Sequence, residues 1–187
     1  MKSGTLLALT AGATFGIASL AVADQHDPSL DEVVEIPDFD LGPDGSTFEH
    51  TVNLDPDVPV VGFTFVGTWA PADGSPWASD TRLDIVPPGG EAFAVGGFGT
   101  GGADVDWDFD GSGSSSPGTY TSTHFPEEWD GGISQDGEWS FLFENTFGSE
   151  TGHDWSDVSI TLHKIPAPGA LALLGLAGLA GSRRRRD

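Results

Sequence analysis

The sequence predicts an all-β protein, an antiparallel β-sandwich or jelly roll. Short runs in which apolar and polar residues alternate follow one another along the middle of the chain, as half-buried strands require. The 27 glycines and 13 prolines punctuate these runs, and no middle stretch has a long helical period. Six Trp and twelve Phe supply large apolar side chains for a core. We therefore expect one domain with one core between two flanking segments.

Eight segments carry the strand pattern, and the richest is VVGFTFVGTW, residues 60–69. The others are residues 48–54, 81–86, 91–95, 105–109, 119–125, 138–144 and 155–163. Regular short strands with turn residues between them are typical of sandwiches and jelly rolls. We expect residues 46–163 to form the sandwich and residues 24–45 to form an N-terminal extension.

The first 23 residues predict a secretory signal peptide. Lys2 stands near the start, an apolar run extends from about residue 6 to residue 20, and Ala21-Val22-Ala23 precedes Asp24. A basic start, a short apolar stretch and an A-x-A site are the marks of such a signal. We expect cleavage after Ala23, with Ala21 and Ala23 forming the site, and hence export across the inner membrane. A buried helix or membrane anchor is the alternative, which the many small residues disfavour.

The chain between the two flanking segments is strongly acidic. All but one of the 29 acidic residues lie between Asp24 and His163, and Arg82 is the one Lys or Arg in that span. Such a surface repels nucleic acid and anionic lipid, so we expect no nucleic-acid partner. It favours divalent cations, high salt or cationic partners, because each relieves the self-repulsion of the folded state.

The sharpest candidate metal site is the run DVDWDFDG, residues 104–111. Its carboxylates belong to Asp104, Asp106, Asp108 and Asp110. If the run is extended, they share one face with about 6.6 Å from one to the next, and clustered Asp supplies the oxygens that calcium takes. An EF-hand is excluded, because Pro117 stands at the twelfth position counted from Asp106, where a Glu is needed. The alternative is an edge strand whose acidic face lies in water and discourages pairing with other copies.

Two tryptophans in loops are candidate ligand-binding residues. Trp77 lies in ADGSPWASD and Trp129 in EEWDGG. Exposed aromatic faces stack on sugars, so both residues suggest an extracellular polysaccharide as a partner. The alternative is that these rings fold back over the core.

Catalytic signals are weak, and we expect no enzyme. The five histidines, His26, His50, His124, His153 and His163, show neither H-x-H nor H-E-x-x-H spacing, so zinc is weakly supported. The sequence has no G-x-S-x-G motif and no Gly-rich phosphate loop. The alternative is a secreted polysaccharide hydrolase that uses an acid pair such as Glu127/Glu128 or Asp106/Asp108. A cleft with two carboxylates, one of raised pKa, would favour that alternative.

Three segments, in order, resemble the P domain that accompanies subtilisin-like proprotein convertases. They are TFVGTW, DTRLDIVPPGGEAF and DGEWSFLFENTFGSETGHDWSDVSITL. The matching residues are Leu83, Asp84, Ile85, Pro88, Gly89, Gly137, Trp139, Gly152, Trp155 and Leu162. The resemblance covers roughly residues 46–163. It implies a jelly-roll sandwich similar to galactose-binding-like domains, which supports a neighbouring protease or binds a ligand. The protease activity does not carry over, because this sequence holds no Ser/His/Asp protease domain, and an accessory chain of a protease is therefore a further alternative.

The C-terminal segment, residues 164–187, resembles the PEP-CTERM sorting signal. Pro166 and Pro168 come first, residues 169–181 are all Gly, Ala or Leu, and the basic run is Arg183, Arg184, Arg185 and Arg186. In that family the apolar helix holds the protein in the inner membrane, arginines inside, until an exosortase-type enzyme processes it. Ala167 replaces the usual Glu, and the apolar block is short against the roughly 20 residues of a full span. The alternative is an amphiphilic helix or a basic tail.

Together these features predict a secreted, surface- or matrix-sorted protein without catalytic activity, with a structural or binding role in the cell envelope or extracellular polymer. Calcium and glycans are the expected ligands. An exosortase-type enzyme and, transiently, the inner membrane are the expected partners.

Overall fold

The computed structural model describes residues 26–43, 45–54, 58–98, 103–109, 112–129, 132–133, 137–147 and 152–166. The predicted signal peptide with Ala21 and Ala23 lies outside these residues, as do Asp110, Pro168 and the four arginines Arg183, Arg184, Arg185 and Arg186. Among the residues described, no helix combines the length and the apolar character that crossing a bilayer requires.

The described chain forms two antiparallel sheets. In the first sheet the order is β1 (Glu32–Ile36), β9 (Gly152–Lys164), β4 (Val60–Asp73) and β7 (Gly118–His124), and the short β2 (Phe39–Leu41) also pairs with β9. In the second sheet the order is β3 (Thr47–Leu54), β8 (Gly137–Asn145), β5 (Thr81–Val86) and β6 (Phe93–Gly96). The predicted antiparallel β-sandwich is confirmed.

The core lies between the two sheets and is rich in aromatic rings. Every second residue of β8 points inward, which buries Trp139, Phe141 and Phe143 completely. The rings of Phe65 and Trp155 meet them from the first sheet, 5.3 Å apart and edge to face. Alternation of this kind is what a strand with one covered face requires, and it is why the sequence shows the strands.

A β-bulge in β9 changes which residues face the core. Thr68 of β4 pairs with Ser156, but Val66 pairs with Ser159, so β9 holds one extra residue between these pairs. Asp157 occupies the bulge with φ of 50°, and its N–H donates to Asp38 Oδ1 at 3.1 Å. Inward residues are therefore odd-numbered before the bulge and even-numbered after it.

The structure corrects two parts of the strand prediction. Strands β1 and β2 lie in the segment expected to be an N-terminal extension, and both pair with β9. The expected strand at residues 105–109 is a single bridge, in which Val105 pairs with Val95 in parallel orientation. Residues 106 and 107 after the bridge are not in a strand, and the chain turns at Asp108 and Phe109.

A polar network joins the two sheets inside the core. Buried His153 accepts a hydrogen bond at Nδ1 from Trp69 Nε1–H (3.0 Å), and its Nε2–H donates to Asn145 Oδ1 (3.1 Å). Trp155 Nε1–H donates to Thr81 Oγ1 at 3.0 Å. Burial lowers the pKa of His153 to about 4, so the ring is neutral at pH 7.

Candidate functional site

Residues 104–109 of the acidic run form a loop that Trp107 anchors. Trp107 is buried, and its Nε1–H donates to the carbonyl oxygen of Thr81 at 2.7 Å. A Cβ at Gly96 would lie 1.9 Å from Trp107 Nε1, and Gly96 has φ of 69°, so both space and backbone conformation require glycine there. The Trp107 ring is thus buried, although residues 104–109 do not form a strand.

Two carboxylates of this run accept hydrogen bonds from backbone N–H groups of neighbouring strands. Asp104 Oδ2 accepts from the N–H of Ala94 at 2.7 Å, and Asp108 Oδ2 accepts from the N–H of Thr123 at 2.8 Å. Asp106 is exposed. Within the described residues, Asp104, Asp106 and Asp108 are not among the groups whose ligand atoms converge as a metal site requires. Calcium binding by this run, with Asp110 as the fourth residue, stays a prediction.

The two candidate tryptophans differ in exposure. Trp77 is 40% exposed in the loop between β4 and β5. Trp129 is only 3% exposed, and its ring packs 5.8 Å from those of Phe63 and Phe93. The expectation of an exposed Trp129 is wrong, because the turn at Glu127–Trp129 folds the ring over the end of the core.

An acidic cleft opens beside this turn. Two adjoining cavities of about 310 and 320 Å³ share the side chains of Phe93, Asp104 and Glu128. The start of β6, the loop at 103–109 and the turn after β7 form the walls. The carboxylates in the walls are those of Glu91, Asp104, Glu127 and Glu128, and all four residues are exposed. The acid pair Glu127/Glu128 therefore lies in a cleft, although its residues are solvated.

Aromatic rings and one histidine complete the cleft. Phe125 is 37% exposed in the first cavity, and Phe93 contributes a buried ring. His124 is half-buried, and its Nε2 lies 2.7 Å from Ser122 Oγ. Burial lowers the pKa of His124, while the nearby Asp108 carboxylate acts in the opposite direction.

A second cluster joins the segment before β1 to the end of β9. Asp31 accepts from His26 Nε2–H at Oδ1 (2.8 Å) and from His163 Nδ1–H at Oδ2 (3.0 Å). The three side chains are 18%, 15% and 10% exposed for His26, Asp31 and His163. Their potential ligand atoms lie within 4.8 Å of one another, and no other such group occurs in the described part of the chain.

The backbone around this cluster is fixed from both sides. A 3-10 turn at Pro28–Leu30 separates His26 from Asp31, and Asp27 caps it by accepting from Ser29 N (3.0 Å) and Ser29 Oγ (2.7 Å). These hydrogen bonds from Ser29 lower the pKa of Asp27. The N–H of Asp27 also donates to the carbonyl oxygen of Lys164 at 3.0 Å, which places the turn against β9.

Sequence reasoning missed this cluster. His26 and Asp31 are five residues apart across a proline turn, and His163 lies 132 residues after Asp31. No local spacing rule connects them, because only the pairing of β1 with β9 brings them together. The one local signal is the Asp-Pro-Ser sequence that starts the turn.

Residues that carry the P-domain resemblance are mostly structural in this molecule. Leu83 and Ile85 are fully buried, and Asp84 Oδ1 accepts from Arg82 Nε–H at 2.8 Å. Trp139 and Trp155 belong to the core. Pro166, the first proline of the predicted sorting signal, lies just beyond β9.

Comparisons with known proteins leave the family open. The chain matches no protein-family model and no curated protein. A crystal structure of FLHE is 10% identical with a TM-score of 0.37, over 73% of this chain and 95% of that one. A serine protease of Aeromonas sobria is 13% identical with a TM-score of 0.39, over 76% of this chain and 29% of the protease. Both likenesses are too distant to assign a function.

Proposed function

We propose that this chain is an exported, surface- or matrix-sorted β-sandwich that binds an extracellular glycan in the acidic cleft and catalyses no reaction. The carrying observation is that exposed carboxylates and aromatic rings line the same cavities. The two ends of the sequence support export and sorting by an exosortase-type enzyme, with transient residence in the inner membrane.

The wall chemistry of the cleft suits a sugar polymer. Carboxylates accept hydrogen bonds from sugar hydroxyls, and rings such as Phe125 pack against the C–H faces of the sugar. Glu127 and Glu128 are solvated, so they can exchange water for hydroxyl groups at low cost. The surrounding negative charge repels polyanions, so the expected glycan is neutral or carries amino groups.

The test is direct titration of the full chain with neutral and amino-sugar oligosaccharides, followed by calorimetry, in EDTA and again in millimolar calcium. Glu127→Gln with Glu128→Gln, and separately Phe125→Leu, should each weaken binding about tenfold, which corresponds to the loss of about one hydrogen bond or ring contact. Glu35→Gln, an exposed carboxylate on β1 outside the cleft, is the matched control and should bind normally.

The opposite pattern would relocate or remove the site. Loss of binding in Trp77→Ala, with the cleft variants unchanged, would move the site to the loop before β5. Absence of binding to any glycan in either buffer would contradict the proposal. Binding that requires calcium would mean that a calcium ion bridges the carboxylates and the glycan. That result would support the predicted calcium site at Asp104, Asp106, Asp108 and Asp110.

A polysaccharide hydrolase is the second candidate, favoured by His124. Its pKa is lowered and it lies in the same cavity as Glu127 and Glu128, and groups of perturbed pKa cluster at catalytic sites. Release of reducing ends from a bound glycan, abolished in Glu127→Gln or Glu128→Gln, would establish this activity. Binding without release supports the non-catalytic proposal.

A further inference from the structure

The cluster of His26, Asp31 and His163 combines two imidazoles with one carboxylate. Asp31 uses one oxygen for each histidine, at 2.8 and 3.0 Å. The cluster lies outside the acidic cleft, although the ring of Phe125, which lines the cleft, stacks on His163 at 5.3 Å. Two histidines and one carboxylate are a donor set that holds zinc and related ions.

We propose that His26, Asp31 and His163 form a binding site for a divalent transition-metal ion of the zinc class. The ion takes one nitrogen from each imidazole and one carboxylate oxygen. Imidazole nitrogen selects zinc, nickel, copper or cobalt over calcium and magnesium, which prefer oxygen ligands. The site is therefore distinct in ion class from the predicted calcium run at 104–110.

The spacing of the ligand atoms is close to what the ion needs. In the structure the hydrogen bonds hold His26 Nε2 and His163 Nδ1 against Asp31, and all three ligand atoms lie within 4.8 Å of one another. A tetrahedral zinc site with bonds of about 2.1 Å has ligands roughly 3.4 Å apart. For the ion to bind, each neutral imidazole takes the tautomer that carries its proton on the other ring nitrogen, Nδ1 of His26 and Nε2 of His163. The ion then takes the place of the two N–H groups that now face Asp31.

Thr64 holds the ring of His163 in place. Thr64 Oγ1 lies 2.7 Å from His163 Nε2, the nitrogen that faces away from the cluster, and 2.8 Å from Thr123 Oγ1. A histidine that binds metal through one nitrogen donates the other N–H to such a partner, which fixes its tautomer and orientation. Thr64 is thus a positioning residue, and two strands, β4 and β7, support it.

Local charge also favours a cation here. Lys164 Nζ lies 2.7 Å from Glu32 Oε2, so its charge is paired with a carboxylate other than Asp31. Its backbone N–H donates to Asp31 Oδ1 at 3.3 Å, which helps to orient that carboxylate. The residues around the cluster therefore hold Asp31 in position while its negative charge stays available to a metal ion.

The bound ion would fasten the segment before β1 to the end of β9. His26 and Asp31 lie on either side of the turn at Pro28–Leu30, and His163 is the penultimate residue of β9. Binding only to the folded state raises its stability with ion concentration. Metal would thereby control how firmly β1, an outer strand of the first sheet, stays attached.

The test is titration of the full chain with Zn²⁺ by calorimetry and with Co²⁺ by visible absorption, in high salt and millimolar calcium. Calcium and salt occupy the general carboxylates without competing for imidazole. We expect one saturable site per chain, tetrahedral cobalt bands, and a rise in the unfolding temperature with Zn²⁺. His26→Ala and Asp31→Asn should abolish all three signals. His50→Ala, a histidine of β3 outside the cluster, is the matched control and should retain them.

Variants of Thr64 provide a second test, with a smaller expected effect on zinc affinity. Thr64→Val should weaken zinc about tenfold, and Thr64→Ser should restore it, because only the hydroxyl is needed. Unfolding in EDTA shows first whether each variant folds. Because the His26 ring is partly exposed, His26→Ala can still be tested if a His163 variant does not fold. Binding by His26→Ala that equals the wild type would overturn the proposal, as would the absence of any saturable site.

Discussion

His153 and His163 stand near the two ends of the same strand, β9, and yet they have opposite surroundings. His153 points into the core, where its partners Trp69, Asn145 and Thr81 are all neutral. His163 lies on the other face of the sheet, where it meets a carboxylate, a second imidazole and a threonine hydroxyl. One histidine is therefore held among neutral core groups, and the other belongs to the cluster proposed as a metal site.

The bulge at Asp157 causes this difference. Both histidines are odd-numbered and would share one face of a regular strand. The extra residue between Ser156 and Ser159 shifts the alternation, so that Trp155 points inward before the bulge, and Val158, Ile160 and Leu162 do so after it. A single residue thus sends His163 outward to Asp31 while His153 stays in the core.

Removal of the bulge should have the largest effect. Deletion of Asp157 would turn either the buried Val158, Ile160 and Leu162 or the buried Trp155 away from the core. Exposure of each large apolar side chain costs about 2 kcal/mol, so exposure of Val158, Ile160 and Leu162 approaches the whole stability of a small domain. We expect a chain that does not fold, as measured by circular dichroism and heteronuclear spectra. A folded deletion variant would contradict the role assigned to the bulge.

Acid should have the next largest effect, through His153. The pKa of His153 is about 4 in the folded protein against 6.5 for a free imidazole, so the unfolded state takes up the proton first as the pH falls. The stabilisation is complete above pH 6.5 and is lost progressively toward pH 4. At about 1.4 kcal/mol for each pH unit, the loss is about 3 kcal/mol.

Urea unfolding of the wild type and of His153→Gln across this range measures the loss. Carboxylates titrate in the same range, so the informative quantity is the difference between the two chains, and His50→Gln on β3 serves as the control. We expect His153→Gln to show a flatter dependence by about 3 kcal/mol, while the control follows the wild type. Parallel curves for wild type and His153→Gln would show that burial of His153 does not govern the acid response.

The smallest effect should come from relief of backbone strain at the bulge. Asp157 has φ of 50°, a left-handed conformation that costs a non-glycine residue about 1 kcal/mol or more. Asp157→Gly keeps the extra residue and removes this strain, but glycine also gives the unfolded chain more freedom. We therefore expect the free energy of unfolding to rise by less than about 1 kcal/mol. Zinc affinity should not change, because the same residues of β9 still face the core and His163 still faces outward. Destabilisation by Asp157→Gly would mean that the aspartate side chain itself supports the bulge.

The sequence predicted the sandwich because its strands are covered on one face. The runs around Phe63, Phe141 and Ile160 show the alternation that such strands require, and they lie in β4, β8 and β9. Strands β1 and β2 were missed because they are short, five and three residues, and Pro37 interrupts the chain between them. The acidic run misled for a related reason, since its alternation reflects one anchoring ring, Trp107, and two carboxylates that accept backbone N–H groups.

The candidate sites were less predictable than the fold. Glu127 and Glu128 could be named from sequence as an acid pair, but the cleft around them depends on where β6 and the loop at 103–109 meet the turn after β7. The exposure predicted for Trp129 was wrong, because the sequence does not show whether an aromatic ring in a loop points to solvent or to the core.

The sequence by itself determined the class of fold, the acidity from which we predict no polyanionic partner, and the predicted signals for export and sorting at the two ends. These properties follow from composition and from short-range periodicity, which do not depend on contacts between distant parts of the chain. Only the tertiary structure brought His26 and Asp31 to His163, because that contact depends on the pairing of β1 with β9 and on the bulge at Asp157. Contacts between residues distant in the chain depend on the register of strand pairing. A shift of one residue in that register moves every side chain of a strand to the opposite face of the sheet.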